Sequence, residues 1–192
     1  MVKTCVVPSR RVIVSSIAIA SLGLVGALLA CGGTQRPDGG EGLLGKGQPA
    51  PELSAVDQNG VPRSVGGQQP QWLLVYFYPK DDTPGCTTEA CAFRDAWALY
   101  DEAGIMIYGV SSDDAESHAE FAEEHDLPFP LIPDPDGTWA RAFGVGSTLG
   151  FDDRVSFLID PEGIVVAQYP DVDPGIHATE VLKDVERLRG GR

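Results

Sequence analysis

The chain is 192 residues long, 43% of them apolar and with all three aromatic types present, enough for one well-cored domain. Its 28 acidic residues outnumber 14 basic ones, for a formal charge of −14, and so acidic a chain excludes phosphate-backbone binding and with it nucleic acid as a partner. Acidity of this degree otherwise serves solubility.

In chain order, Lys3, Arg10 and Arg11 precede an apolar run from Val12 to Ala30 broken only by serines and glycines, the layout of a secretory signal. The run closes on Leu28-Leu29-Ala30-Cys31, which resembles the lipobox of bacterial lipoproteins. That resemblance implies cleavage before Cys31 and a diacylglycerol on its sulfur. An uncleaved membrane anchor, for which the run is barely long enough, and plain secretion are the other readings. The expectation is a signal over 1–30 and an exported, membrane-anchored protein of the cell envelope. Cys5 then leaves with the signal and Cys31 is consumed, so Cys86 and Cys91 alone remain as thiols, in a compartment that permits disulfides. Residues 31–45, rich in glycine and without apolar periodicity, read as a flexible tether. The folded domain is expected over 46–192, with no internal repeat.

Within it, Trp72–Tyr78 is a continuous apolar run of β-formers and reads as a strand covered on both faces. Pro84 opens a helical pattern reaching about Ala103, and Ile105–Val110 is a second buried strand. Asp113 and Glu116 have the spacing of a capping box for a helix running to His125. Pro128–Ile132 reads as extended and Trp139–Phe143 as a short helix. Val155–Asp160 and Ile164–Tyr169 form a hairpin about Pro161-Glu162-Gly163, and Asp173-Pro174 opens a last helix over His177–Arg189. Strands alternating with helices, followed by a hairpin and a closing helix, predict an α/β protein: a central mixed β-sheet flanked by helices on both faces, in the order of the thioredoxin-like fold with an N-terminal extension.

Cys86 and Cys91 carry the chemistry. Cys86 lies in the first helical turn, where unpaired backbone N–H groups and the positive dipole end favour a thiolate. Thr83 is placed to offer a hydroxyl to the sulfur or its substrate, while Pro79 ends the strand and Pro84 stiffens the helix entry. Cys86 shares an apolar stripe with Ala90, Phe93 and Trp97, whereas Cys91 points away with Arg94 and Asp95. Five helical residues rotate roughly 140° and rise about 7.5 Å, which puts the two Cα atoms roughly 8–9 Å apart. A disulfide reaches about 7 Å at most, so bonding the pair requires the first turns to unwind. A structural disulfide is the competing reading for two exported cysteines. A metal site completed by His118, His125 or His177 is another, but zinc motifs bring paired thiols at two- to four-residue spacing, which is lacking here, and no metal is expected.

The stretch from Tyr78 to Asp95 resembles the active-site segment of peroxiredoxins of the Q type, the bacterioferritin comigratory proteins. The family pattern P-x-x-x-T-x-x-C falls on Pro79, Thr83 and Cys86, with a resolving cysteine five residues on at Cys91. The resemblance covers the domain from about Gly47 and includes the strand Arg154–Asp160, "RVSFLID". It implies a thioredoxin-like fold and a thiol-dependent peroxidase acting on hydrogen peroxide and organic hydroperoxides. Cys86 is then the peroxidatic residue, oxidised to a sulfenic acid. Thr83 and Arg154 position the peroxide, Cys91 closes the disulfide, and a thioredoxin-like dithiol protein of the envelope recycles it, with no cofactor. A monomer is expected. Only eight residues separate Val145 from Arg154, a shorter loop than in many relatives. The alternatives are an envelope thioredoxin-like disulfide oxidoreductase, which normally has C-x-x-C, and a Sco-like copper-binding protein, which has C-x-x-x-C and a distant histidine.

Overall fold

The structure is a computed structural model describing residues 34–191, so the expected signal and Cys31 lie outside the described residues. The elements in chain order are β1 (Leu53–Val56), β2 (Pro62–Val65), β3 (Trp72–Phe77), α1 (Pro84–Asp95), α2 (Trp97–Glu102), β4 (Ile105–Ser111) and α3 (Ala115–Glu124). They continue with β5 (Leu131–Pro133), α4 (Thr138–Phe143), β6 (Ser147–Thr148), β7 (Phe151–Asp152), β8 (Val155–Ile159), β9 (Val165–Tyr169) and α5 (His177–Gly190).

The central sheet runs β5-β4-β3-β8-β9. Its β3–β4 and β4–β5 pairs are parallel, and β3–β8 and β8–β9 are antiparallel. This is the mixed sheet expected from two βαβ crossovers and a terminal hairpin. Alternation along β3 divides the core. Trp72, Leu74 and Tyr76 pack with Phe93, Tyr100, Phe121, Val181 and Val185 from α1, α2, α3 and α5. Leu73, Val75 and Phe77 pack on the other face with Trp139 and Phe143 of α4 and with Val65 of β2. The sheet is therefore buried on both faces, as a largely apolar β3 requires. Tyr76 pairs in register with Gly109, where a Cβ would stand 2.7 Å from the tyrosine hydroxyl oxygen. A glycine at that position makes room for the ring.

The expected single helix from Pro84 to Ala103 is two helices, broken at Ala96, whose φ −90° and ψ 0° lie in the bridge region. The N-cap of α3 is Asp114, which accepts a 3.0 Å bond from Ser117 N, not Asp113. Asp113 is turned inward because its carboxylate serves a loop on the neighbouring strand. The cap of α5 likewise falls at Ile176, while the carbonyl of Asp173 accepts from Ile176 N and His177 N.

The segment from Thr34 to Gly45, expected as free tether, folds onto the domain. Gln35 bridges Glu41, and buried Arg36 donates from Nη1 to the carbonyls of Gly42 (2.9 Å) and Leu43 (3.2 Å). Leu44 enters the core beside Phe143 and donates its N–H to that residue's carbonyl at 2.9 Å. The reason is local: one guanidinium satisfies several turn carbonyls, one leucine supplies the apolar anchor, and Gly39 and Gly42 take left-handed turn positions.

Candidate active site

The site lies where β3 ends and α1 begins. Cys86 is the third residue of α1, after Pro84 at the first helical position and with extended Thr83 as the N-cap. Its sulfur is buried at 1% exposure, and both Cys86 and the half-buried Cys91 are free thiols. The antiparallel pairing of β8 on β3 sets Val155 opposite Phe77, which brings Arg154 to the same end of the sheet. Arg154 Nη2 donates to Cys86 Sγ at 3.1 Å. Its Nη1 is ion-paired with the carboxylate of Glu89, which is fully buried. A permanent positive charge thus sits against the sulfur at the positive end of a helix. Gly85 leaves room for this guanidinium, since a Cβ there would stand 3.3 Å from Nη2.

Thr83 Oγ donates to the carbonyl of Lys80 at 3.0 Å and makes no bond to the helix. Its donor is thereby engaged, which leaves its oxygen lone pairs to act as acceptors. Pro79 is half-buried at the start of this turn. The turn is pinned from beneath by a polar cluster. Tyr78 Oη donates to Asp81 Oδ1 at 2.7 Å, and Ser117 Oγ to Asp81 Oδ2 at 2.8 Å. His118 Nδ1 lies 2.9 Å from that same Oδ2. Asp113 receives Asp81 N at 2.9 Å and Lys80 Nζ at 2.7 Å, which is why it does not cap α3. Asp81 is only 4% exposed, because its carboxylate is the hub of this cluster. His118 and His177, weighed from the sequence as metal ligands beside the cysteines, are both fully buried, and His177 opens α5.

Glu89 escaped the reading of the sequence, and His177 entered it only as a candidate metal ligand. Glu89 lies three residues from Cys86 on the buried face of α1, and burial pushes its carboxyl up to about 7 against the attraction of Arg154. An acid at i+3 on an apolar stripe was the available signal. His177 sits behind Phe93 with Nε2 2.9 Å from Ser156 Oγ, and burial, reinforced by Arg154, lowers it to about 4, so it is neutral at ordinary pH. The short loop before Arg154 forms the β6–β7 hairpin with Leu149 and Gly150 at its tip in the left-handed region. A cavity of about 310 Å³ opens there between Thr34, Ser112, Asp134 and Asp152, and Cys86 is not among its walls.

The family model for the AhpC/TSA family matches residues 46–168. The chain is 38% identical over 143 residues to the putative peroxiredoxin bcp of Coxiella burnetii, covering 71% of this chain and 95% of that one. Among solved structures it is similar to the peroxidoxin BcpB of Mycobacterium tuberculosis, with TM-score 0.68 and 31% identity over 75% of this chain and 97% of that one. It is also similar to the bacterioferritin comigratory protein of Xanthomonas campestris, with TM-score 0.64 and 35% identity over 71% and 91% of the two chains. With a cysteine–arginine pair at the head of α1 in a thioredoxin-like fold, the chain belongs to the AhpC/TSA family, among its Bcp and peroxiredoxin Q members, and is a thiol-dependent peroxidase.

Proposed function

We propose that Cys86 is the peroxidatic residue and Cys91 the resolving one. The observation that carries this is the 3.1 Å contact from Arg154 Nη2 to a buried sulfur in the first turn of α1. The Cys86 thiolate attacks one peroxide oxygen; an S–O bond forms, the O–O bond breaks, and the other oxygen leaves as alcohol or water after taking a proton. Arg154 meets the charge developing on that oxygen. Thr83 Oγ, with its own proton held by Lys80 O, accepts the hydroperoxide O–H and orients it. Cys91 then attacks the sulfenic sulfur, water departs, and a Cys86–Cys91 disulfide forms, which an external dithiol reduces by exchange.

The helical separation of the two cysteines supports a partial unwinding of α1 before that bond can form. The Xanthomonas campestris relative is described by its alkyl peroxide reduction activity, which supports organic hydroperoxides beside hydrogen peroxide as substrates. The signal layout and Leu28–Cys31 support export and lipid attachment at Cys31, and therefore a thioredoxin-like reductant in the envelope. We expect the protein to act as a monomer, to be checked by sedimentation.

The test is peroxide consumption by cysteine variants. Cys86→Ser abolishes it, while Cys91→Ser permits a single turnover and leaves a sulfenic acid that dimedone traps on Cys86. Multiple turnovers by the Cys86 variant would overturn the assignment. Intact-mass measurement of the membrane fraction checks the anchor: acyl chains on Cys31 are expected, and a mature protein without them refutes it.

A further inference from the structure

Asp82, Glu124 and His125 bring three metal-binding groups together beside the active-site turn, with their ligand atoms all within 4.8 Å of one another. We propose that they form a site for a divalent first-row cation, with zinc the ion that fits, and that the bound ion restrains the turn leading into α1. No metal was expected here from the sequence, because the ligands come from two segments more than forty positions apart.

Several features point to an ion and not to a chance cluster. His125 Nε2 stands 3.4 Å from Asp82 Oδ1, longer than the roughly 2.7–3.2 Å of an ordinary N–H···O bond. Two ligands on a tetrahedral zinc with bonds of about 2.1 Å sit roughly 3.4 Å apart. The imidazole is held in place: its ring packs edge-on against Phe121 with centroids 5.0 Å apart, and Arg94 Nη1 donates to its carbonyl at 2.8 Å. The charge of Arg94 is itself engaged by Asp95. Little ordering is left to be done on the histidine side when an ion arrives. The last turn of α3 holds no basic residue of its own, and Glu123, Glu124 and Asp126 cluster there, so that beyond the Arg94 contact this helix end carries excess negative charge. An N/O set of one imidazole and two carboxylates, with a position left for water, is a zinc-type set.

Asp82 directly precedes Thr83, the N-cap of α1, so an ion binding it to the end of α3 fixes the strand-to-helix turn from outside. Resting on the reading of Cys91 as the resolving residue, the consequence is that zinc slows the unwinding that lets Cys91 reach Cys86. Sulfenic acid then persists longer and is more exposed to further oxidation by peroxide.

The experiment has two arms. Zinc titration by calorimetry uses the full chain carrying Cys86→Ser and Cys91→Ser, which removes thiolate ligands and makes this arm independent of the cysteine assignment. One equivalent is expected to bind, and Asp82→Ala or His125→Ala added to that background should weaken it by about tenfold or more, while a distant acid, Glu116→Ala, leaves it unchanged. No binding, or binding that none of the ligand variants weakens, overturns the site. In the second arm, the wild-type chain is oxidised with one equivalent of peroxide with and without zinc. Disulfide formation should slow several-fold with zinc in the wild type and not in His125→Ala. Equal slowing in both, or none in a wild type that binds zinc, overturns the coupling to the turn.

Discussion

Glu89 occupies a helix position where the apolar pattern calls for a leucine, and its carboxylate joins the guanidinium that touches Cys86. Its carboxyl holds a proton more tightly in the folded chain, at about 7, than its ordinary value of 4.5. The stability linked to that proton is fully present below about pH 4.5 and is lost as pH rises through 7, on the order of 3 kcal/mol in all. Glu89→Gln removes the titration while keeping the shape. The wild type should therefore lose thermal stability relative to the variant across that window, and a constant difference in Tm from pH 4.5 to 8 would refute it. Arg154 calls for a different test. Arg154→Lys keeps the charge but loses the fork that contacts sulfur and carboxylate together, and should lower the second-order rate with peroxide by about a hundredfold in stopped-flow oxidation. Cys86, Cys91, Thr83 and Pro79 could be picked out along the chain because they sit within eighteen contiguous residues. Arg154 lies 68 positions from the sulfur, and no local pattern places it there; only likeness to a family did.

At the scale of elements, α1 has a fixed end and a loose one. Phe93 is wedged among Tyr76, Tyr100, Phe129 and His177, with ring centroids 5.0 to 6.3 Å away. The first two turns hold only Cys86, Glu89 and Ala90 in the core. Unwinding on disulfide formation should therefore stop short of Phe93. Hydrogen exchange is expected to speed up on oxidation for amides of residues 85–91 and to stay unchanged beyond Phe93; uniform loss of protection over α1 would contradict this. The buried strands β3, β4 and β8 were legible from near-continuous runs of β-formers, because burial on both faces leaves that mark, and the edge strand β9 from the hairpin signal before it. The β1–β2 hairpin was missed although Asn59-Gly60 lies in its turn, since short half-exposed strands around Pro62 carry little periodicity. Strands of two residues, as in β6 and β7, lie below any pattern.

For the molecule as a whole, composition and the order of elements pointed to one mixed-sheet domain, and that is the fold. What they could not show is that the glycine-rich leader packs onto it, because its hold depends on single residues meeting distant partners. Gly144 ends α4 at φ 72°, and a Cβ there would stand 1.9 Å from the carbonyl oxygen of Gly42. Gly144→Ala should cost about 1–3 kcal/mol and release the leader, read as faster cleavage after Glu41 by a glutamate-specific protease with little change in the Cys86 reaction. Unchanged cleavage would show that the leader is held without that close approach.

On the proposed lipidation of Cys31, the docked leader would also set a mooring length. Three residues span no more than about 11 Å, so the acyl anchor would lie within that distance of Thr34, where the described body starts. A protein moored so closely would not range through the envelope in search of electrons. Its reductant would have to come to the bilayer surface, and encounters between the two would become a matter of diffusion over a plane.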